Sequence, residues 1–322
     1  MAKISRPRRG SLQYWPRKRA KKILPSANWV AISSKNSEKV LGFIGYKVGM
    51  KSAYAKDLTL DSMTKNKKIS FPVTVIECPS MKIFSVRLYK NNNVVGEFLS
   101  PTLDKDLKKR VKIPKNVSSS ENTKKLDDKN YDDLRIIVYS NVRKMGLKKK
   151  PDMIEVALGG DKLEDKISFV REHLNKEIRV SDVLSRMQLV DIHGLTKGKG
   201  LQGAVKRFGI GLKGHKSEKG RRRAGSLGPW HPARVTFRAP QAGQLGMFSR
   251  ISYNSKLLDV GSIKDKDINP AGGFKNFGLV RTDYIIVRGS VQGVPKRPVL
   301  LTFPLRKTKS ADKKNYDSIE LR

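Results

Sequence analysis

Residues 39–50 read KVLGFIGYKVGM, and the fold class turns on that run. It is rich in β-branched, aliphatic and aromatic residues and reads as a strand. Gly42, Gly45 and Gly49 inside it mark bends or places where another part of the chain comes close. Similar runs follow: SFPVTVIECP at 70–79, KIFSVRLYKN at 82–91, and VVGEFLS at 94–100, opened by the asparagine turn after Lys90. Near the other end RISYNSKLLDVG (250–261), FGLVRTDYIIVRGSVQGVP (277–295) and RPVLLTFPLR (297–306) repeat the texture. Short strands at near-regular spacing, broken by Gly, Pro or Asn, favour a barrel over a layered α/β sheet. The expectation is a mainly β fold in which strands from 41–100 and 251–306 close one barrel core.

Residues 101–192 read as an inserted αβ subdomain. Residues 105–115 form a charged helix candidate stopped by Pro114, and 118–133 are polar, suited to a short helix with loops. LRIIVYSNV (134–142) and MIEVALGG (153–160) are strands, separated by the basic turn KMGLKKKP (144–151). Leu163, Ile167 and Val170 fall near one face of a helix over 161–175, and Ser181 is placed to cap another. The insertion holds most of the acids, so it is expected to face solvent or other proteins. The tail, 307–322, carries both signs of charge and reads as frayed or docked.

Charge sets the class of partner. The chain of 322 residues has a formal net charge of +39, with 38% hydrophobic residues, so self-repulsion works against any compact free state and a polyanionic partner is implied. No apolar run approaches the roughly 18 residues a membrane helix needs, and residues 1–22 alternate basic residues with Pro and Ser, unlike a secretory signal. A soluble, intracellular, nucleic-acid-bound protein is expected. Cys78 is the only cysteine, which excludes intramolecular disulfides and cysteine-based zinc sites; the four histidines show no ligand spacing, and no metal or cofactor is expected.

Two segments carry that charge. Residues 1–40 form a basic arm in which Arg6, Arg8, Arg9, Arg17, Lys18 and Arg19 surround Tyr14 and Trp15, a mixture suited to phosphate contact and base stacking; a solvated tail or a targeting patch is the alternative. Residues 193–250 form a long loop in which Glu218 is the only acid and no run is long enough for an ordinary strand or helix. Alone it would lack a core and stay disordered. Its glycines let backbone amides approach phosphates, or else mark a flexible linker. Lys197, Lys199, Lys206, Arg207, Lys213, Lys216, Lys219, Arg221, Arg222, Arg223, Arg234, Arg238 and Arg250 supply charge. Trp230 either stacks on an exposed base or caps a local core of the loop, and His231 reads as a hydrogen-bonding residue rather than a catalytic base.

An RNA-acting enzyme using His231 or Cys78 is a competing class, but the sequence has no dinucleotide-binding glycine pattern after a strand, no P-loop and no nucleophile elbow. A chromatin-type DNA binder is a third.

The runs RRGSLQYWPRKRA (8–20), GFIGYKVGM (42–50), HGLTKGKGLQGAVKRFG (193–209), GSLGPWHPARV (225–235) and AGQLGMFSRISYN (242–254) resemble the uL3 (L3) family of large-ribosomal-subunit proteins, of archaeal type. The resemblance spans essentially the whole chain. It implies a β-barrel of the kind shared with translation factors, an inserted αβ subdomain, and extensions that bind large-subunit rRNA in the cytoplasmic ribosome. It also implies an early part in subunit assembly and a loop tip, near Trp230, that approaches the peptidyl transferase region from the aminoacyl-tRNA side. Neighbours would include proteins of the uL14 and eL24 families, with no enzymatic role. One departure matters. Where eukaryotic relatives tend to carry a methylatable histidine before the GxWHP motif, this chain has Glu218, so that modification is not carried over.

Overall fold

The strand read at 39–50 runs on as β1, Gly42–Asp57. Its first half is buried on both faces, with Phe43, Ile44, Tyr46 and Val48 fully covered, which is why the sequence there is a continuous apolar run rather than an alternation. Two of its glycines are close approaches. A Cβ at Gly42 would stand 2.6 Å from the ring of Trp29, on the short helix α1 (Trp29–Ser33), and one at Gly45 would stand 2.5 Å from Ile76. In this computed structural model residues 11–33, 40–114, 130–160 and 162–322 are described. Arg6, Arg8, Arg9 and most of the polar stretch 118–133 fall outside the described residues.

The remaining strands are β2 (Lys68–Glu77), β3 (Met81–Lys90), β4 (Asn93–Leu99), β5 (Asp133–Ser140), β6 (Met153–Ala157), β7 (Leu189–Leu195), β8 (Leu201–Gln202), β9 (Gly243–Gln244), β10 (Ser249–Ser262), β11 (Asp283–Arg288), β12 (Pro298–Thr302) and β13 (Tyr316–Leu321). Among the described residues the helices are short apart from α3 (Leu163–His173); besides α1 they are α2 (Val142–Met145), α4 (Ala204–Phe208) and α5 (Lys309–Asp312). The protein is mainly β, with several sheets. Among the described residues no helix is long and apolar enough to cross a membrane.

The largest sheet has the order β12-β7-β10-β11-β2-β1-β13, and β12 also pairs with β1 through Gly42↔Thr302 to Tyr46↔Pro298. The antiparallel pairings therefore run from β1 through five other strands and return to β1. β13 pairs with the outer half of β1, so the tail is docked by backbone hydrogen bonds rather than frayed. A second sheet has the order β4-β3-β5-β6.

Residues 82–91 and 94–100 differ from expectation. The expectation places them in the barrel with β1 and β2, but β4 pairs with β3 and β3 with β5, in the second sheet. Alternation is a local property, whereas the partner of a strand is set by which distant strand its buried face meets. The helix expected over 105–115 is only the 3-10 turn Lys105–Lys109, because one buried residue, Leu107, does not make an amphipathic face. The helix expected after Ser181 is the turn Val180–Asp182, where the Asp182 carboxylate accepts from the Arg179 amide and Ser181 donates to Asp182. The helix over 161–175 forms as α3, with Phe169 and Val170 buried. His193, counted with the loop, lies buried inside β7.

The main core joins the two sheets through Phe43, Ile44, Met81, Ile83, Val138 and Leu300. A second cluster under β2, β11 and β13 contains Val73, Val75, Tyr284 and Tyr316. One buried polar group is closely paired. The Tyr46 hydroxyl donates to Asp152 Oδ2 (2.6 Å), stands 2.7 Å from Ser140 Oγ, and Lys148 completes the group at Asp152. Burial, then Asp152, push the Tyr46 phenol well up. Cys78 is fully buried and burial raises its thiol, an inert environment for a nucleophile.

Candidate nucleic-acid interface

The chain divides into two compact units, one of residues 1–22 and 195–250, the other of 23–194 and 251–322. The first holds 22 of the 68 Lys and Arg but one of the 29 acids, Glu218. More than half of the net charge thus sits in about a quarter of the chain, with almost nothing inside the unit to neutralise it.

The unit is held by backbone rather than by a large core. The chain closes at its base through Thr196 N to Phe248 O, Lys199 N to Leu245 O and Leu245 N to Gly200 O, each 2.9 Å, and through the two-residue pair β8–β9. The arm joins by Ala20 N donating to Met247 O (2.9 Å). Trp15 lies between Phe208 and Phe237, with centroids at 6.2 and 5.4 Å. The Arg17 guanidinium stands 4.2 Å over the Phe208 ring and donates to the Arg207 carbonyl (3.0 Å). Arg207 donates to the carbonyls of Gln244 and Gln241, both at 3.0 Å, and burial lowers its pKa. Arg250 stands 4.4 Å over Tyr14 and 5.2 Å over Phe248. Stacked cations and rings of this kind contribute roughly 0.5–1 kcal/mol each where exposed.

This sorts the expected site residues. Trp15, Arg17, Arg207 and Arg250 are half-buried and knit the arm to the loop, so the open stacking platform expected of Trp15 is occupied by Phe208 and Phe237. Lys18, Arg19, Lys197, Lys199, Lys206, Lys213, Lys216, Lys219, Arg221, Arg222, Arg223, His231, Arg234 and Arg238 are exposed. Lys213 and Arg221 exchange backbone and side-chain hydrogen bonds (Lys213 N to Arg221 O 3.1 Å, Arg221 Nε to Lys213 O 3.2 Å), closing the turn that carries Lys216 and Lys219. Trp230 is 87% exposed, so it caps no local core. Phe208 and Phe237 were missed by the sequence reading; each lies in a basic run, KRFG and TFRA, and that flanking was the available signal.

The unit presents an acid-poor, glycine-rich surface that exposes both the Trp230 indole and several guanidinium groups. Known proteins decide what carries such a surface. The family model for ribosomal protein L3 matches residues 1–322. The chain belongs to the ribosomal protein L3 family. It is 39% identical over 319 residues to the large ribosomal subunit protein uL3 of Methanobrevibacter smithii, covering 95% of this chain and 94% of the relative. It is 40% identical over 319 residues to uL3 of Methanococcoides burtonii, with the same coverage. To uL3 of Methanocaldococcus jannaschii it is 36% identical over 314 residues, covering 94% and 92%. L3-family membership makes it a ribosomal protein, a component of the cytoplasmic ribonucleoprotein and not an enzyme.

Proposed function

We propose that this L3-family protein is a structural constituent of the large ribosomal subunit whose arm and 193–250 loop are embedded in large-subunit rRNA. In this reading it supports early subunit assembly and extends Trp230 toward the peptidyl transferase centre. The observation that carries the reading is the unit of residues 1–22 and 195–250, where one acid faces 22 cations on a backbone closed mainly at its base. Exposed lysines and arginines neutralise phosphates, releasing counterions, and Trp230 offers a base-stacking face. The half-buried Arg17, Arg207 and Arg250 set the shape that the exposed cations present.

The strand pairings that leave β1 and return to it through β12 support a closed translation-factor-like barrel. The sheet β4-β3-β5-β6 with α3, lying in sequence between β2 and β7, is the inserted αβ subdomain. That insertion is the part proposed to meet protein neighbours of the uL14 and eL24 families. Sedimentation of cell extract at moderate salt tests the reading: the protein travels with large subunits, and recovery in the free soluble fraction refutes it.

A further inference from the structure

We propose that the insertion carries a second RNA-backbone surface, formed where residues 105–112 lie beside residues 143–150. The two segments are far apart in sequence and meet at an ion pair. Arg143 Nη1 stands 4.0 Å from Asp106 Oδ2, and Asp106 also accepts from Lys109 Nζ at 2.7 Å. Arg110, at the end of the 3-10 turn, is close enough for its charge to act on the Tyr46 hydroxyl, and Lys148 stands 5.4 Å over the Tyr46 ring.

Both segments are fixed from beneath. Leu107 is fully buried against Phe84 and Tyr139, and Asp104, just before the turn, accepts from Tyr139 Oη (2.9 Å) and Lys82 Nζ (3.1 Å). The other segment is fixed by Lys144 at Glu177 (2.5 Å) and by Lys148 at Asp152. The segments are therefore fixed before a ligand arrives, and only the exposed side chains remain to be ordered on binding.

The acids in the patch are already engaged: Asp106 by Lys109 and Arg143, Glu177 by Lys144, Asp152 by Lys148 and Tyr46. Lys105, Lys108, Arg110, Lys112, Lys149 and Lys150 are exposed and have no ion pair among the described residues. The adjoining stretch 115–129, KNVSSSENTKKLDDK, holds four lysines and three acids, so its composition supplies no surplus of negative charge to cover them.

The chemistry of the patch selects its partner. Protein interfaces centre on buried aromatic or aliphatic anchors. Here Val111, 36% exposed, is the one large apolar residue at the surface of the two segments. Lysine point charges with one guanidinium fork suit the phosphodiester backbone of a folded RNA, read by shape rather than by base. The charge and geometry belong to these two segments alone; only the choice of RNA as the polyanion rests on the proposed function.

The test uses the full chain with Lys108→Gln, Arg110→Gln, Lys149→Gln and Lys150→Gln combined, beside a loop variant with Arg221→Gln, Arg222→Gln and Arg223→Gln. Binding to large-subunit rRNA is titrated against salt and footprinted with hydroxyl radicals. Each lost phosphate contact lowers the log–log salt slope by about 0.7–0.9, so the patch variant is expected to lose about 3 units of slope, together with a footprint that the loop variant retains. An unchanged thermal transition excludes misfolding as the cause. Unchanged slope and footprint in the patch variant, with binding weakened in the loop variant, overturn this surface and leave the proposed function standing. Unchanged binding in both overturns the proposed function as well. If poly-glutamate binds the patch as tightly as rRNA does, the surface is built for acidic protein and the proposal fails.

Discussion

Replacing Gly246 with alanine tests whether the rRNA-facing unit is closed by its own backbone. Gly246 sits at φ +78, and a Cβ there would lie 1.9 Å from the carbonyl oxygen of Lys197, on the opposite side of the base. A carbon and a carbonyl oxygen come no closer than about 3.3 Å even in favourable contacts, so the two sides must part by more than 1 Å. Alanine in the left-handed region adds about 1–2 kcal/mol of strain. Parting the base stretches the 2.9 Å bonds from Lys199 N to Leu245 O, from Leu245 N to Gly200 O and from Thr196 N to Phe248 O. At about 1 kcal/mol net for each such bond, the local cost totals roughly 4–5 kcal/mol. That is about three orders of magnitude or slightly more in an opening equilibrium. Hydrogen exchange reads it directly: the amides of Lys199 and Leu245 are expected to lose protection, while those of β2 and β11 keep theirs. Gly225→Ala is the control, because a Cβ there meets nothing within 4 Å. If the Lys199 and Leu245 amides of Gly246→Ala stay as protected as in the parent, the backbone closure described here is wrong.

Excising residues 200–245 is expected to leave thermal unfolding as cooperative as before, since the buried hydrophobic clusters draw on Ile192 and Leu257 but on nothing between them among the described residues; a broadened calorimetric transition would contradict this. Trp230→Ala is expected to shift stability by less than about 0.5 kcal/mol, because the ring is exposed, yet to weaken rRNA-fragment binding by the ~1–3 kcal/mol of one stacked base. Equal affinities by filter binding would remove Trp230 from the interface. Burial lowers the His193 imidazole to about 4, with Nε2 3.2 Å from Thr302 Oγ1. The unfolded chain takes up that proton near pH 6.5, so between 6.5 and 4 it binds more protons than the fold, and stability drops as pH falls, by about 3 kcal/mol from this group. His193→Gln should flatten that part of the urea-unfolding profile, and an unaltered slope in the variant would show that His193 is not the group responsible.

What could be read from the sequence divides along a physical line. β1 was legible because burial on both faces writes itself as an unbroken apolar run, and its glycines because Trp29 and Ile76 leave no room for a Cβ. The basic loop was legible because charge is additive along a chain. Sheet membership was not: KIFSVRLYKN alternates identically whichever sheet it joins, and only its meeting with β5 places it. The same limit hid the cluster around Trp15, since Phe208 and Phe237 lie about two hundred residues away and nothing local links them. The insertion shows a further side of it. Its acids, counted along the chain, point to a solvent-facing or protein-facing surface; the structure adds that Asp106, Asp152 and Glu177 are each bound to particular lysines, an arginine or a tyrosine. An acid that is paired cancels the cation it touches and, beyond a Debye length of about 8 Å, does little for any other. Composition averages over that distance; a phosphate arriving at Lys149 or Arg110 does not, which is why a segment rich in acids can still present a basic edge.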